Sequence, residues 1–246
     1  MASSNEGKAA HGSGISRRFV TVALLLALIA CVSGGHPAVA ADGRPSFFHS
    51  IELRSANTAP FSKWRAALDR TSREVAEEQG RDCSNDHATD CRYHELDAFL
   101  DTLRGKGRRE QLVAVNAYMN ARPYVTDASN WGQKDYWATP AEFLTRSGDC
   151  EDFAIAKFFA LKRLGWSADA LRLAAVKDLD QGVGHAVLIA YDGGRSWLLD
   201  NQIQQVVETG TVHRYEPVYS INENAWWRHR VVAPSATTGV DTAAGG

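Results

Sequence analysis

Apolar positions recur at intervals of three and four through much of the first two thirds of the chain. Over 61–79, Trp64, Ala67, Leu68 and Val75 keep helical spacing, and Gly80 follows. Residues 93–103 and 109–121 read as two more helices. In the second, Leu112, Val115, Ala117 and Met119 form the apolar stripe, and Pro123 stops it. An irregular, aromatic-rich stretch runs over 124–150, and a further helix is expected over 151–164. Lys162 and Arg163 in its last turn suit the negative end of the helix, and Gly165 lets the chain leave it. Beyond Gly165 the period shortens to two. "LRLAAV", "HAVLIAY" and "SWLLDN" read as strands, and Asp192-Gly193-Gly194-Arg195 between the last two is a strong hairpin signal. "QVVE" and "YSIN" add shorter strands, 41–60 reads as a polar leading segment with Pro45 and Pro60, and no internal repeat is visible. The pattern predicts an α+β domain, N-terminal helices packed with a C-terminal antiparallel sheet.

The two ends of the chain read differently from its middle. Arg17-Arg18 precede an apolar run over 19–32, and Ala38-Val39-Ala40 follows. That is the order of a secretory signal peptide, here 1–40. The run is shorter than the 18 or so apolar residues of a membrane span. A retained N-terminal anchor, a lipoprotein cleavage box at Leu28-Ile29-Ala30-Cys31 and a twin-arginine leader are the alternative readings. The small polar segment 234–246 is expected to be disordered, leaving one domain over 41–233.

Charge removes one class of function. The 246 residues carry 27 Lys and Arg against 29 Asp and Glu, and a nucleic-acid-binding protein is usually strongly basic. Without 1–40 the remainder holds 24 basic and 28 acidic groups, and no second long apolar run, so a soluble product outside the inner membrane is expected. Export makes the four cysteines informative. Cys31 leaves with the leader, and Cys83 and Cys91 in the polar loop "RDCSNDHATDCR" are expected to pair in an oxidising compartment. A metal knuckle from Cys83, His87, Cys91 and His94 is the competing reading, although its spacing fits no common zinc pattern. Cys150 is then an odd thiol that needs a reason.

Gly148-Asp149-Cys150 opens the helix "CEDFAIAKFFALKRLG", where Cys150, Ala154, Phe158 and Leu161 fall on one stripe. Taken alone this is a buried core cysteine. A helix N-terminus also favours thiolate, the competent nucleophile, and a nucleophile needs a base and an orienting group. His185 opens one strand of the hairpin and Asp200 ends the other. Folding the pair about Gly193-Gly194 with an even loop sets Asp200 opposite Val187, which makes it a diagonal neighbour of His185 on one face.

At these residues the sequence resembles the papain-like and transglutaminase-like superfamily. "NWGQKDYWATPAEFLTRSGDCEDFAIAKFFALKRLG", "HAVLIAYDGGRSWLLDNQ" and "YSINENAWW" are similar to the bacterial transglutaminase-like cysteine proteinases, the LapG-type periplasmic proteases, over roughly 61–227. The resemblance implies a papain-like fold and a cysteine endopeptidase with Cys150 as nucleophile, His185 as base and Asp200 as orienting acid. It implies a periplasmic enzyme that cuts a large surface adhesin near its N-terminus and so disperses biofilm. It implies Ca²⁺ dependence, with Asp149, Glu151 and Asp152 as ligands. It also implies sequestration by an inner-membrane receptor that senses cyclic di-GMP.

Charge counting favours a cation independently, because three carboxylates surround a thiol that must become negative. Hard oxygens suit Ca²⁺ rather than zinc, and carbonyls of the 127–135 loop are expected to complete the shell. Helical geometry places the carboxylates away from the sulfur. The plain alternative is an acidic N-terminal turn that only complements the helix dipole. Trp131 and Trp137 are candidates to line a cleft, and the Asn130-Trp131 backbone to stabilise an oxyanion. Asp135 reads as a solvated loop carboxylate, with a metal ligand as the alternative. Trp226-Trp227 reads as packing of the C-terminal segment rather than a partner surface. A transglutaminase or peptide amidase with the same triad is the rival enzyme class, and a binding module without catalysis the rival outside it.

Overall fold

The computed structural model describes residues 43–79, 91 and 93–231. Among the described residues the first regular element is a strand, β1 (Ser50–Ser55), and six α-helices follow it. These are α1 (Ser62–Gln79), α2 (His94–Asp101), α3 (Arg108–Asn120), α4 (Asp127–Trp131), α5 (Pro140–Arg146) and α6 (Cys150–Arg163). Six strands follow: β2 (Leu171–Asp178), β3 (Val183–Asp192), β4 (Arg195–Leu199), β5 (Val207–Glu208), β6 (Tyr215–Ile221) and β7 (Trp226–Val231). All seven strands form one sheet in the order β1-β7-β6-β2-β3-β4-β5, with every pairing antiparallel. The expected α+β class holds.

Three segments depart from the sequence expectation. The segment read as a polar leader contains β1, whose inward side chains are polar. Ser50 and Glu52 are buried while Ile51 and Leu53 face out, so the apolar alternation is inverted. Glu52 Oε2 accepts from Arg172 Nη1 at 2.6 Å with both side chains fully buried, and the guanidinium lies 3.6 Å from the centre of the Trp227 ring. His229 sits between the hydroxyls of Ser50 and Ser220, each at 2.9 Å. Burial, then the Arg172 charge, push its pKa down to about 3, so it stays neutral. The irregular stretch contains α4 and α5. For α5 the signal was present: Thr139 caps the helix, Pro140 starts it, and Glu142 reaches back to the Thr139 N–H at 2.8 Å. The last departure is β7, which carries Trp226 and Trp227. Trp227 is buried and Trp226 packs on Phe61, the packing role expected of the pair.

Helix α6 is buried on nearly every side, and this positions the site. Phe153, Ala154, Ile155, Phe158 and Leu161 are all within 2% of full burial. Phe143 meets Phe153 edge-on at 4.8 Å, and Trp64 meets Phe158 edge-on at 5.3 Å. A helix held this firmly presents its first residue in a fixed place. Residues 1–42, 80–90, 92 and 232–246 fall outside the described residues, and with them the leader, the tail, Cys83 and His87. The Cys83–Cys91 pairing therefore remains an expectation, while Cys150 is a free thiol.

Candidate active site

The turn before α6 is pinned from several directions. Ser147 takes a positive φ of 62°, an uncommon conformation outside glycine. Asn130 Nδ2 donates to the Ser147 carbonyl at 3.1 Å, and Val125 N–H donates to the Gly148 carbonyl at 2.9 Å. Asp152 lies fully buried beneath the turn, accepting from Ala138 N–H at 2.7 Å and Asp149 N–H at 3.3 Å. The glycine is required here by space: a Cβ on Gly148 would lie 2.1 Å from Asp152 Oδ2. Gly148→Ala is expected to cost about 1–3 kcal/mol by forcing this contact apart. Denaturant unfolding measures it, and an unchanged midpoint would show that the turn yields without strain.

Cys150 is the first residue of α6, partly exposed, and its thiol donates to Glu151 Oε2 at 3.2 Å. The expectation that the carboxylates point away from the sulfur fails for Glu151, whose flexible side chain folds back along the helix start. Burial, then Glu151, then Asp149 push the thiol pKa up, and the Ala186 N–H pulls against them. The preference for thiolate expected of a helix terminus is outweighed in this arrangement. Tyr124 stands beside Cys150, 55% exposed, its backbone bridged to Gly148. It gave no signal in the sequence.

The hairpin has the register that parity requires. Leu188 pairs with Leu199 and Ile189 with Leu198, so Asp200 follows directly on the last paired residue. His185 Nε2 lies 2.9 Å from Asp200 Oδ1, with both side chains within 2% of full burial. An ionised carboxylate only accepts, so this ring nitrogen carries the proton. Gln202 N–H donates to the same oxygen at 2.9 Å, and the Tyr215 hydroxyl donates to Asp200 Oδ2 at 2.6 Å. Burial raises the Asp200 pKa, but His185, Tyr215 and Gln202 together bring it below the usual carboxylate value. Asn120 Nδ2 fixes the Asp200 carbonyl at 2.7 Å. Residue 186, next to His185, supplies the N–H that acts on the Cys150 sulfur. Two turns along α6, burial pushes the Lys157 ammonium down to about 7 against the pull of Asp200.

A cluster of carboxylates adjoins the thiol. Ligand oxygens of Asp127, Asp135 and Glu151 lie within 4.8 Å of one another, and so do those of Asp127, Asp149 and Asp152. The sequence reading assigned no role to Asp127 and took Asp135 for a solvated carboxylate, because both are distant from 149–152 along the chain. Asp127 is buried, and its Oδ2 accepts from Tyr136 N–H. Its Oδ1 and that of Asp149 are buried without a hydrogen-bond partner. Burial, then Glu151, push the Asp149 pKa to about 8, and burial raises that of Asp127. Orphaned, crowded carboxylate oxygens fit a hard divalent cation. Of the three predicted ligands, Asp149 has an unpartnered oxygen and Glu151 accepts from the Cys150 thiol, whereas Asp152 has two backbone donors. Trp131 stacks between Tyr136 and Arg146, and Trp137 packs on Trp64.

A papain-like arrangement of helix-start cysteine and hairpin histidine and aspartate defines a class, the transglutaminase-like cysteine peptidases. The profile described as bacterial transglutaminase-like cysteine proteinase BTLCP matches residues 80–230, and the chain belongs to that family. Calcium-bound LapG of Legionella pneumophila is a similar solved structure, 29% identical with a TM-score of 0.55, the match covering 68% of this chain and 92% of that one. EGTA-treated LapG of the same organism is 30% identical with a TM-score of 0.53, covering 64% and 84%. No curated protein matches significantly. The protein is a cysteine peptidase of this family.

Proposed function

We propose that the chain is a periplasmic, calcium-dependent cysteine endopeptidase that cuts a large surface adhesin near its N-terminus and so promotes biofilm dispersal. The observation that carries the chemistry is the 2.9 Å contact of His185 with Asp200 beside the first residue of α6. In the proposed mechanism His185 Nδ1, opposite the protonated Nε2, takes the Cys150 proton. The sulfur attacks the scissile carbonyl carbon, and His185 passes the proton to the leaving amine as the C–N bond breaks. A water, deprotonated by His185, then attacks the thioester carbon and returns the thiol. Asp200 holds the ring and offsets the imidazolium charge formed in each half-reaction.

Asp127, Asp135, Asp149 and Glu151 would hold Ca²⁺, with Asp152 fixing the turn beneath. When bound, the ion supplies positive charge that balances these carboxylates beside the nucleophile. The calcium-bound and EGTA-treated relatives support this reading. Sequestration by an inner-membrane receptor sensing cyclic di-GMP completes the proposal, and rests on the family resemblance alone.

The test compares intact surface and exported proteins from cells carrying wild-type enzyme or Cys150→Ala. One very large polypeptide shortened only by the wild type is expected. If the wild type instead joins a fluorescent amine to protein and cuts nothing, the activity is acyl transfer, and the protease reading falls.

A further inference from the structure

The hydrogen bonds around Asp200 reach beyond the three residues of the proposed triad, on which this inference rests. Tyr215 opens β6 and is 3% exposed. Its hydroxyl donates to Asp200 Oδ2 at 2.6 Å, and its ring lies 5.6 Å from that of His185 at 38°. One side chain therefore touches both the orienting acid and the base.

The sheet fixes Tyr215 in that place. Asp178 of β2 pairs with Tyr215 on one side and with Val183 of β3 on the other, two residues before His185. Asp178 is itself occupied, accepting from Asp180 N–H at 3.0 Å, Gln181 N–H at 3.2 Å and the Arg214 guanidinium. Arg214 also caps the Tyr215 ring at 5.2 Å and donates to Gln202 Oε1 at 3.0 Å. Gln202 returns to Asp200 through its backbone N–H. The strand starts of β3 and β6 and the residue past β4 are thereby joined in one polar network.

We propose that Tyr215 is a positioning residue of the reaction, acting through Asp200. Oδ1 already serves His185 and Gln202, so the hydroxyl on Oδ2 fixes the remaining freedom of the carboxylate, its rotation about the Cβ–Cγ bond. With that rotation stopped, Oδ1 stays in line with the Nε2–H of His185, and Nδ1 stays aimed for proton transfer. Burial and the neighbouring carboxylate raise the phenol pKa, so the hydroxyl remains a donor. A ring beside the imidazole also bars it from swinging away.

Tyr215→Phe removes only the hydroxyl and keeps the ring. In the calcium-loaded full chain, kcat is expected to fall about tenfold or more, the equivalent of a hydrogen bond to a charged group, with KM unchanged. The His185 Nε2–H proton, followed by NMR, is expected to move upfield and exchange faster with water. In an Asp200→Asn background the same substitution should have little further effect, because the partner it acts through is already altered. Wild-type kcat together with an unmoved ring proton would overturn the proposal. So would a tenfold loss that multiplies fully with Asp200→Asn, since that marks an effect independent of the carboxylate. If Asp200→Asn alone leaves kcat unchanged, the triad assignment fails first, and the two failures are told apart.

Discussion

Holding the enzyme in a calcium chelator is expected to stop cleavage, and excess Ca²⁺ to restore it. Asp149 and Glu151 flank the thiol, and Glu151 accepts its hydrogen bond directly. A carboxylate about 5 Å from a forming thiolate opposes it by about 3 kcal/mol at an effective dielectric near 20, which is about two orders of magnitude in rate. Asp149→Ala or Glu151→Ala should remove the calcium response while Cys150 stays in place. Asp127→Ala should do so too, although nothing near it in the sequence suggests a role. Binding must also displace protons. Asp149 has a pKa raised to about 8 in the fold, so the cation-free fold holds a proton that the unfolded chain releases near pH 4. Its stability therefore falls as pH rises through this window, and the gain in Tm on adding Ca²⁺ should be larger at pH 8 than at pH 6. Full activity of metal-stripped enzyme in chelator would show that the carboxylates serve only the helix start.

Cys150→Ala and His185→Ala should abolish cleavage, a loss of about 10⁴-fold or more, while the near-UV circular dichroism of the fold is kept. Asp200→Asn should be milder. An amide oxygen can still accept from His185 Nε2–H, but the charge that offsets an imidazolium is gone, which is expected to cost about 10²-fold in kcat. Its NH₂ would also face the Tyr215 hydroxyl or the Gln202 N–H, each a donor to the carboxylate at present. Near-normal turnover by Cys150→Ala would end its assignment as nucleophile.

His185 and Asp200 could be paired from sequence because a two-glycine turn fixes register, and register fixes the face. The start of α6 was legible for a similar local reason, a short acidic stretch leading into apolar helical spacing. Tyr215 had no such mark. It reaches Asp200 through β6, which pairs with β2 across a register shift between Ala175 and Val176, and no local pattern encodes that shift. Asp127 was invisible as a ligand for the same reason, and Asp135 was the weaker of two readings: the contacts are tertiary, made when α4 and the following loop pack beside the start of α6. In β1 the usual alternation was present but inverted, since Glu52 is stabilised inside by Arg172 three strands away.

The antiparallel pairing of Ser50 with Val231 brings the two ends of the described domain to one corner. Tyr219 of β6 pairs with Arg228 of β7, so the two antiparallel strands run on towards Glu216 and Val231, and Glu216 pairs with Lys177, which pairs with Gly184, the residue before His185. Ser50 and Val231 thus lie at the same end of the sheet as His185, displaced from it by three or four strands, roughly 14–19 Å at the usual spacing. A label attached at either Ser50 or Val231 would therefore sit within energy-transfer range of a peptide held at Cys150 and His185.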